Sequence, residues 1–486
     1  MRAFPRTLRE STDSLSEAAR RFAGAVGFLF AVLSVGCFEE PPRSVLLVTI
    51  DTLRADALSL DAASGAAPGP LRSFARLGAR FEWAFSTCSY TVPAHASIMV
   101  GRYPSFHSVG LLNGQHALTP DEETLAEMLG AAGYRTAAIT SNASLDHRIG
   151  LDQGFETYDD RLPDRELVRD LRERRAGDAV DRALEKLRAF EGDPFFLWLH
   201  LQDPHGPYTP PAASSDRVPR FDFESASREL PVGPDHSGYR AIPMYQAFGD
   251  ERRVEQYAGR YQREVDYADR ELGRLFEYLQ EGGRLDDMLV LLTSDHGESM
   301  GEDDFYFQHG HSVGLEQVHV PLLVVGADVV SDRVVSTPVT TMDIFATVLE
   351  FLEQPIPNDT QSRELYESLR RDRPIDARPI YTESYTQTGI VDGGVYLRMD
   401  REPAAPREFW RESPLSGGTI VPLGTERIVL IPSTPDRRPT ETELERRLGA
   451  FRGRAHKARS AIAKRAAPPV PRADIADELR ALGYVE

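Results

Sequence analysis

The chain predicts an α/β fold with a mostly parallel central sheet covered by helices on both faces. Three observations carry this. Continuously apolar runs recur at 44–50, 135–139, 195–201, 288–293 and 320–325, the pattern of strands buried on both sides. Helical stretches lie between them, and strands alternating with helices argue for parallel pairing. Four of the runs end in polar side chains, at Asp51, Ser141-Asn142, Asp203 and Asp295-His296. In open α/β sheets ligands bind beyond the carboxyl ends of the strands, so these groups should converge on one pocket.

Composition narrows the function. The 486 residues carry 56 Lys and Arg against 75 Asp and Glu, a formal charge of −19. Nucleic-acid binding through phosphate neutralisation needs a concentrated basic surface and is not expected. Two cysteines build neither a disulfide scaffold nor a Cys-rich zinc site. With 41% hydrophobic and 27% charged residues, the chain is an ordinary globular body of enzyme size.

In chain order, Arg20-Arg21 precede an apolar run at 22–36, short for a membrane span and followed by Cys37. This reads as an export signal. Leu33-Ser34-Val35-Gly36-Cys37 resembles a bacterial lipobox, with Cys37 the lipidation candidate, and an uncleaved anchor is the alternative. Either way residues 1–37 give membrane association, and the folded part, from about residue 44, works outside the cytoplasm, in the periplasm or beyond. Thr119 with Glu122 has the form of a capping box, followed by a stripe of Leu125, Met128 and Leu129 and a stop at Gly133. Residues 252–280 carry Tyr257, Tyr261, Val265, Ala268, Leu272, Leu275 and Leu279 at helical spacing, ending at Gly282-Gly283. The Pro-, Gly- and Ser-rich stretch 207–250 reads as an excursion or lid over the site. A catalytic domain over 44–355 is followed by short strands within 372–435, a small subdomain, and by an exposed helical tail over 436–486.

The chemistry centres on Thr91. Pro93 fits the first turn of a helix, which places Thr91 at the positive end of its dipole, where an anion is favoured. A hydroxyl needs a base or a metal to become a nucleophile at neutral pH. Asp51, Asp295 and His296 are ligands of the kind a divalent cation takes, with Thr91 itself a fourth. Asp203, His205, His309 and His311 form a second set, for another metal or for the substrate anion. His95 supports the site, while His107, His116, His147, His236 and His319 read as surface or structural; Glu298 and Glu302 read as solvated loop acids, with bases standing behind the ligands as the alternative.

IDTLRAD (50–56), TVPAHASIMVGRYP (91–104), TSDHGESMGE (293–302) and HGHSVGLEQVHVPLLV (309–324) appear in this order. Together they resemble the sulfatase family of the alkaline phosphatase superfamily, and HLQDPHGPYTPP (200–211) and LRALGYV (479–485) add to the likeness. The resemblance implies an alkaline phosphatase-like α/β/α sandwich. It also implies a divalent metal at the strand ends and attack on a sulfate or phosphate ester through a covalent intermediate. Matched position by position, Asp51, Asp295 and His296 fall on metal ligands and Thr91 on the nucleophile. The family's formylglycine precursor and its Arg four residues on are here Thr91 and His95, its second Asp after the first strand is Thr52, and its Lys-Trp-His segment is replaced by ITSNASL (139–145). Thr followed by x-Pro-x-His instead resembles nucleotide pyrophosphatase/phosphodiesterases.

The expectation is therefore a metal-dependent hydrolase using Thr91, with one or two ions of zinc, manganese or calcium and an ester whose organic half the sequence does not specify. Phosphoester chemistry is favoured. A true sulfatase using unmodified threonine and a catalytically inactive binding protein are the rivals.

Overall fold

The computed structural model describes residues 43–58, 60, 69–110, 117–166, 171–211, 228–234, 236–400, 426–430 and 439–462. The lipobox-like segment with Cys37, His116 and the terminal LRALGYV lie outside these residues. Among the described residues no helix is long and apolar enough to cross a membrane.

The apolar runs become strands β1 (Ser44–Ile50), β3 (Arg135–Ile139), β5 (Phe195–Leu201), β6 (Met288–Ser294) and β7 (Leu322–Val325). Three shorter strands join them: β2 (Gly78–Phe81), β4 (Thr157–Asp159) and β8 (Arg333–Val335). The sheet runs β8-β2-β7-β6-β1-β5-β3-β4, with β1 central. Every pairing is parallel except those of β7, which runs opposite to both β6 and β2. The run expected at 320–325 is broken at Pro321, which has no N–H to give the ladder. His319-Val320 pairs instead with Ala84-Phe85.

Side chains of β1 alternate between two cores. Val45 and Leu47 pack on the side of α2 (Thr91–Val100), α3 (Leu125–Ala131) and α6 (Asp343–Phe351). Leu46, Val48 and Ile50 face α1 (Pro70–Ala75), α4 (Ala176–Ala189) and α5 (Val254–Glu281). Burial on both faces explains why these strands are continuously apolar rather than alternating. In α5 the seven residues of the expected stripe are all buried. The capping box is displaced from expectation. It forms at Thr124, whose hydroxyl accepts from the Glu127 N–H at 3.1 Å, while Glu122 binds Arg102 at 3.1 Å. Both Thr-x-x-Glu patterns satisfy the local rule, and helix α3 starts where Leu125 and Leu129 can both be buried.

C-terminal to this sandwich, β9 (Ile380–Glu383), β10 (Gln387–Asp392), β11 (Val395–Asp400) and β12 (Glu426–Val429) form an antiparallel sheet. The helix expected to be exposed, α7 (Glu441–Ile462), instead buries Leu444, Leu448 and Phe451 against Tyr103, Tyr381 and Leu397. Its apolar residues are few but fall on one stripe, which suffices for a one-sided contact.

Candidate active site

Asp51 stands one residue beyond β1, and Asp295 and His296 directly after β6, the adjacent strand. Their alignment is fixed locally. Ser294 Oγ lies 2.6 Å from the carbonyls of both Ile50 and His296 and accepts from the Leu53 N–H at 3.0 Å, tying the two strand ends together. Asp295 Oδ1 accepts the N–H groups of Thr52 (3.2 Å) and His296 (2.8 Å). Asn142, after β3, donates through Nδ2 to Asp51 Oδ2 at 2.6 Å, and its own oxygen accepts from the Ser144 N–H, which fixes the amide's orientation.

One oxygen of each carboxylate then has nothing to bind. Asp51 Oδ1 and Asp295 Oδ2 are fully buried and lack a hydrogen-bond partner. His296 donates from Nδ1 to the Gly297 carbonyl (2.9 Å), so Nε2 presents a lone pair. That nitrogen lies 3.4 Å from Asp295 Oδ2, 3.9 Å from Asp51 Oδ1 and 3.2 Å from Thr91 Oγ1. Two orphaned carboxylate oxygens and an imidazole lone pair around one point are costly to bury without a cation. The donor set fits a divalent ion. Burial pushes the Asp51 carboxyl up to about 6 against the pull of His296 and Asn142.

Thr91 is the first residue of α2, all ten of whose residues are buried, and the helix stops at Gly101 in the left-handed region (φ 66°). His95 donates from Nδ1 to the Thr91 carbonyl (2.8 Å) and its Nε2 meets Thr49 Oγ1 (3.0 Å), which in turn accepts from the Trp198 indole. Both ring nitrogens are occupied, so His95 braces the first turn of α2 at Thr91 and is not placed to bind an ion, although it lies within reach of His200 and Asp295. Burial holds His95 down to about 4, neutral at physiological pH.

His200 was not anticipated as a site residue. It sits inside the apolar strand FFLWLHL, fully buried, accepting from the Ser141 N–H through Nδ1 (3.3 Å), with Nε2 3.5 Å from Asp51 Oδ2. The signal was a lone imidazole in an otherwise apolar strand. Glu298 is fully buried rather than solvated, and holds His309 Nδ1 (3.0 Å) and the Tyr208 hydroxyl (3.0 Å). Glu302 pairs with Arg54 at 2.8 Å.

The second set divides. The His309 ring lies 4.4 Å from His296 and 5.3 Å from His205, so both imidazoles border the centre. Asp203 is turned away: it accepts the Ala176 N–H at the start of α4 (2.7 Å) and pairs with Arg175 (3.0 Å). His311 stacks on Phe305 at 3.7 Å and meets the Gln317 amide at 2.8 Å. Among the described residues, the trios able to share an ion are Asp51/Asp295/His296, His95/His200/Asp295 and a surface Asp146/His147/Asp160, and none includes Asp203, His205, His309 or His311. The expected second metal set is not assembled, because the Arg175 guanidinium already neutralises Asp203. His107 is structural, as expected, buried between Ser97 Oγ (3.0 Å) and the Val109 N–H (3.1 Å).

The Sulfatase family profile matches residues 43–353. The multifunctional alkaline phosphatase superfamily protein PehA of Trinickia caryophylli is 27% identical over 406 residues, 69% of this chain and 79% of that protein. The extracellular sulfatase SULF-1 homolog of Drosophila melanogaster is 25% identical over 61% of this chain, which spans only 29% of that longer protein. Among solved structures, the phosphonate monoester hydrolase of Silicibacter pomeroyi superposes with a TM-score of 0.60 at 19% identity, covering 88% of this chain and 96% of its own. With the profile spanning the whole main sheet and every side chain gathered at its edge, this chain belongs to the sulfatase family, whose enzymes are metal-dependent ester hydrolases.

Proposed function

We propose that the protein cleaves phosphate or sulfate esters by nucleophilic attack of Thr91 Oγ1, with phosphoesters the preferred substrates. The observation that carries this is the position of Thr91 Oγ1, 3.2 Å from His296 Nε2, at the N-terminus of a buried helix beside the orphaned oxygens of Asp51 and Asp295. A divalent cation held by Asp51, Asp295 and His296 supplies two things when bound: a lowered pKa for the Thr91 hydroxyl and charge compensation for the ester. The helix N-terminus favours the ester's non-bridging oxygens. Thr91 Oγ1 forms the new bond to phosphorus or sulfur as the bond to the leaving alkoxide breaks, and water then releases the covalent intermediate.

One observation favours phosphorus: the nucleophile in this reading is a threonine, without the family's formylglycine precursor. The multifunctional character named for PehA is compatible with several ester classes at one such centre. Export and membrane association through residues 1–37 belong to the same proposal, as does the location of substrate specificity in the 207–250 excursion.

The test is side-by-side turnover of bis-4-nitrophenyl phosphate, 4-nitrophenyl phosphate and 4-nitrophenyl sulfate, with bound metal measured on the same preparation. Diester turnover lost in Thr91→Ala is the expected result. Sulfate turnover alone would establish the sulfatase reading, and bound metal with no turnover of any of the three would favour a binding role.

A further inference from the structure

The face of β1 that looks toward α2 is apolar at Val45 and Leu47 and turns polar at Thr49, two residues before Asp51. Thr49 is fully buried, so its hydroxyl has to be satisfied within the core. It has two partners. The Trp198 indole, on the neighbouring strand β5, meets Thr49 Oγ1 at 2.9 Å, and His95 Nε2, on α2, meets it at 3.0 Å. His95 Nδ1 reaches the Thr91 carbonyl at 2.8 Å, while Asp295 Oδ2, at 3.8 Å, is beyond hydrogen-bond length from the same nitrogen. Each link has one possible direction. A carbonyl only accepts, so Nδ1 carries the imidazole proton and Nε2 of the neutral ring is an acceptor. An indole N–H only donates, so Thr49 Oγ1 accepts from Trp198 and gives its own proton to Nε2. The far end of the chain is held by packing, with the Phe155 and Tyr158 rings centred 6.1 and 6.2 Å from Trp198. Thr49 is β-branched, hence stiff about χ1, and its strand is paired on both sides, with His200 and Thr293 opposite it.

From this geometry we infer that Thr49 and Trp198 are positioning residues for the nucleophile: the chain from the Trp198 indole through Thr49 and His95 to the Thr91 carbonyl sets the register of α2 against β1, the strand that leads into Asp51. The inference rests on Thr91 being the nucleophile. No proton moves along the chain, and its effect is geometric. Apolar contacts through Val92, Ala96 and Ile98 hold the helix down, but such contacts are non-directional. The hydrogen-bonded chain also fixes where the helix lies along the sheet. It thereby keeps Thr91 Oγ1 at 3.2 Å from His296 Nε2, beside the strand end that presents Asp51.

The experiment is steady-state turnover of bis-4-nitrophenyl phosphate by the metal-loaded wild type and by Thr49→Val, Thr49→Ser, Trp198→Phe, His95→Gln and the double variant Thr49→Val/His95→Gln. Metal content and amide hydrogen exchange are measured on the same preparations. Thr49→Val keeps the shape of the side chain and loses the hydroxyl, so kcat should fall about 10- to 10²-fold with KM and metal content unchanged. Thr49→Ser restores the hydroxyl and should return kcat to within about fivefold of the wild type. Trp198→Phe removes the outer donor and should lower kcat in the same way but less. The double variant should be no slower than the slower single variant, because both break one chain, whereas independent losses multiply. Amides in the first turn of α2 should exchange faster in Thr49→Val, with those of α5 unchanged. An undiminished kcat in Thr49→Val or Trp198→Phe, no recovery in Thr49→Ser, metal loss that tracks the loss of kcat, or multiplying losses in the double variant would overturn the inference. If Thr91→Ala retains turnover, it is the nucleophile reading that fails, and exchange in the first turn of α2 still decides whether the chain holds that helix in register.

Discussion

Two clusters of buried acids lie at neighbouring strand ends and have opposite fates. At β1 and β6, Asp51 and Asp295 face a histidine lone pair with one oxygen each unsatisfied. At β5, Asp203 and Glu264 share Arg175, at 3.0 and 3.5 Å, with Glu173 at 3.8 Å. A strand-terminal aspartate is thus not a site by position alone. The difference is a built-in guanidinium: where the chain supplies its own cation the cluster is a structural joint between α4, α5 and β5, and where it does not, a cation must come from outside. Exchanging charge at each cluster sharpens this. Asp295→Asn should lower turnover by about 10³-fold or more and abolish metal retention, since several kcal/mol of charge stabilisation go with the ligand. Asp203→Asn should leave turnover within about tenfold. Parallel kinetics and metal analysis check both, and equal losses would erase the distinction.

Stability should separate the clusters in the reverse sense. Arg175→Met leaves three buried carboxylates without a counter-charge and should cost about 3 kcal/mol in urea unfolding, where removing one partner of a buried pair is expensive. In metal-free protein, Asp51→Asn should not destabilise, because it removes a carboxyl that burial already disfavours in its charged form. Chelation probes the same contrast more gently. Stripping metal from the wild type should lower its melting temperature, by the equivalent of about 2.7 kcal/mol if the ion was present at a hundredfold its Kd. Asp51→Asn should show no such chelator-dependent fall.

The sequence made one cluster legible and misassigned the other for a physical reason. Strand positions followed from apolar runs, and with them the convergence of Asp51, Asp295 and His296, because strand ends in a parallel sheet meet at one edge. What Asp203 would face was not readable, since Arg175 is 28 residues before it and its approach is decided by how α4 packs. The same limit explains Glu298 and His311: both follow β6 in a loop, where local composition does not tell a fully buried acid from a solvated one. His200 hid within a strand whose apolar neighbours outweighed it, and the reversed direction of β7 left no mark because antiparallel and parallel core strands are equally apolar. Helix α3 began five residues late for the same reason, two equivalent capping patterns being separated only by burial.

The smallest effect expected is the share of the pH dependence that the Arg175 cluster contributes. Burial raises Glu173 to about 7, with Arg175 opposing and Glu166 and Asp203 reinforcing the shift. An acid whose pKa is higher in the folded than in the unfolded state binds more protons when folded. Its contribution is therefore full below about 4.5 and lost as pH rises through about 7. Burial likewise raises Asp203 and Glu264, so the cluster as a whole favours the acid side. Metal-free wild type should lose of order 1–3 kcal/mol from this source between pH 5 and 8. Glu173→Gln, neutral throughout, should flatten that part of the profile without altering metal affinity. Urea midpoints at the two pH values are the measurement. A profile equally steep in the variant would mean that Arg175 already keeps Glu173 ionised, and the two clusters would then differ in geometry but not in how completely the chain neutralises its own buried charge.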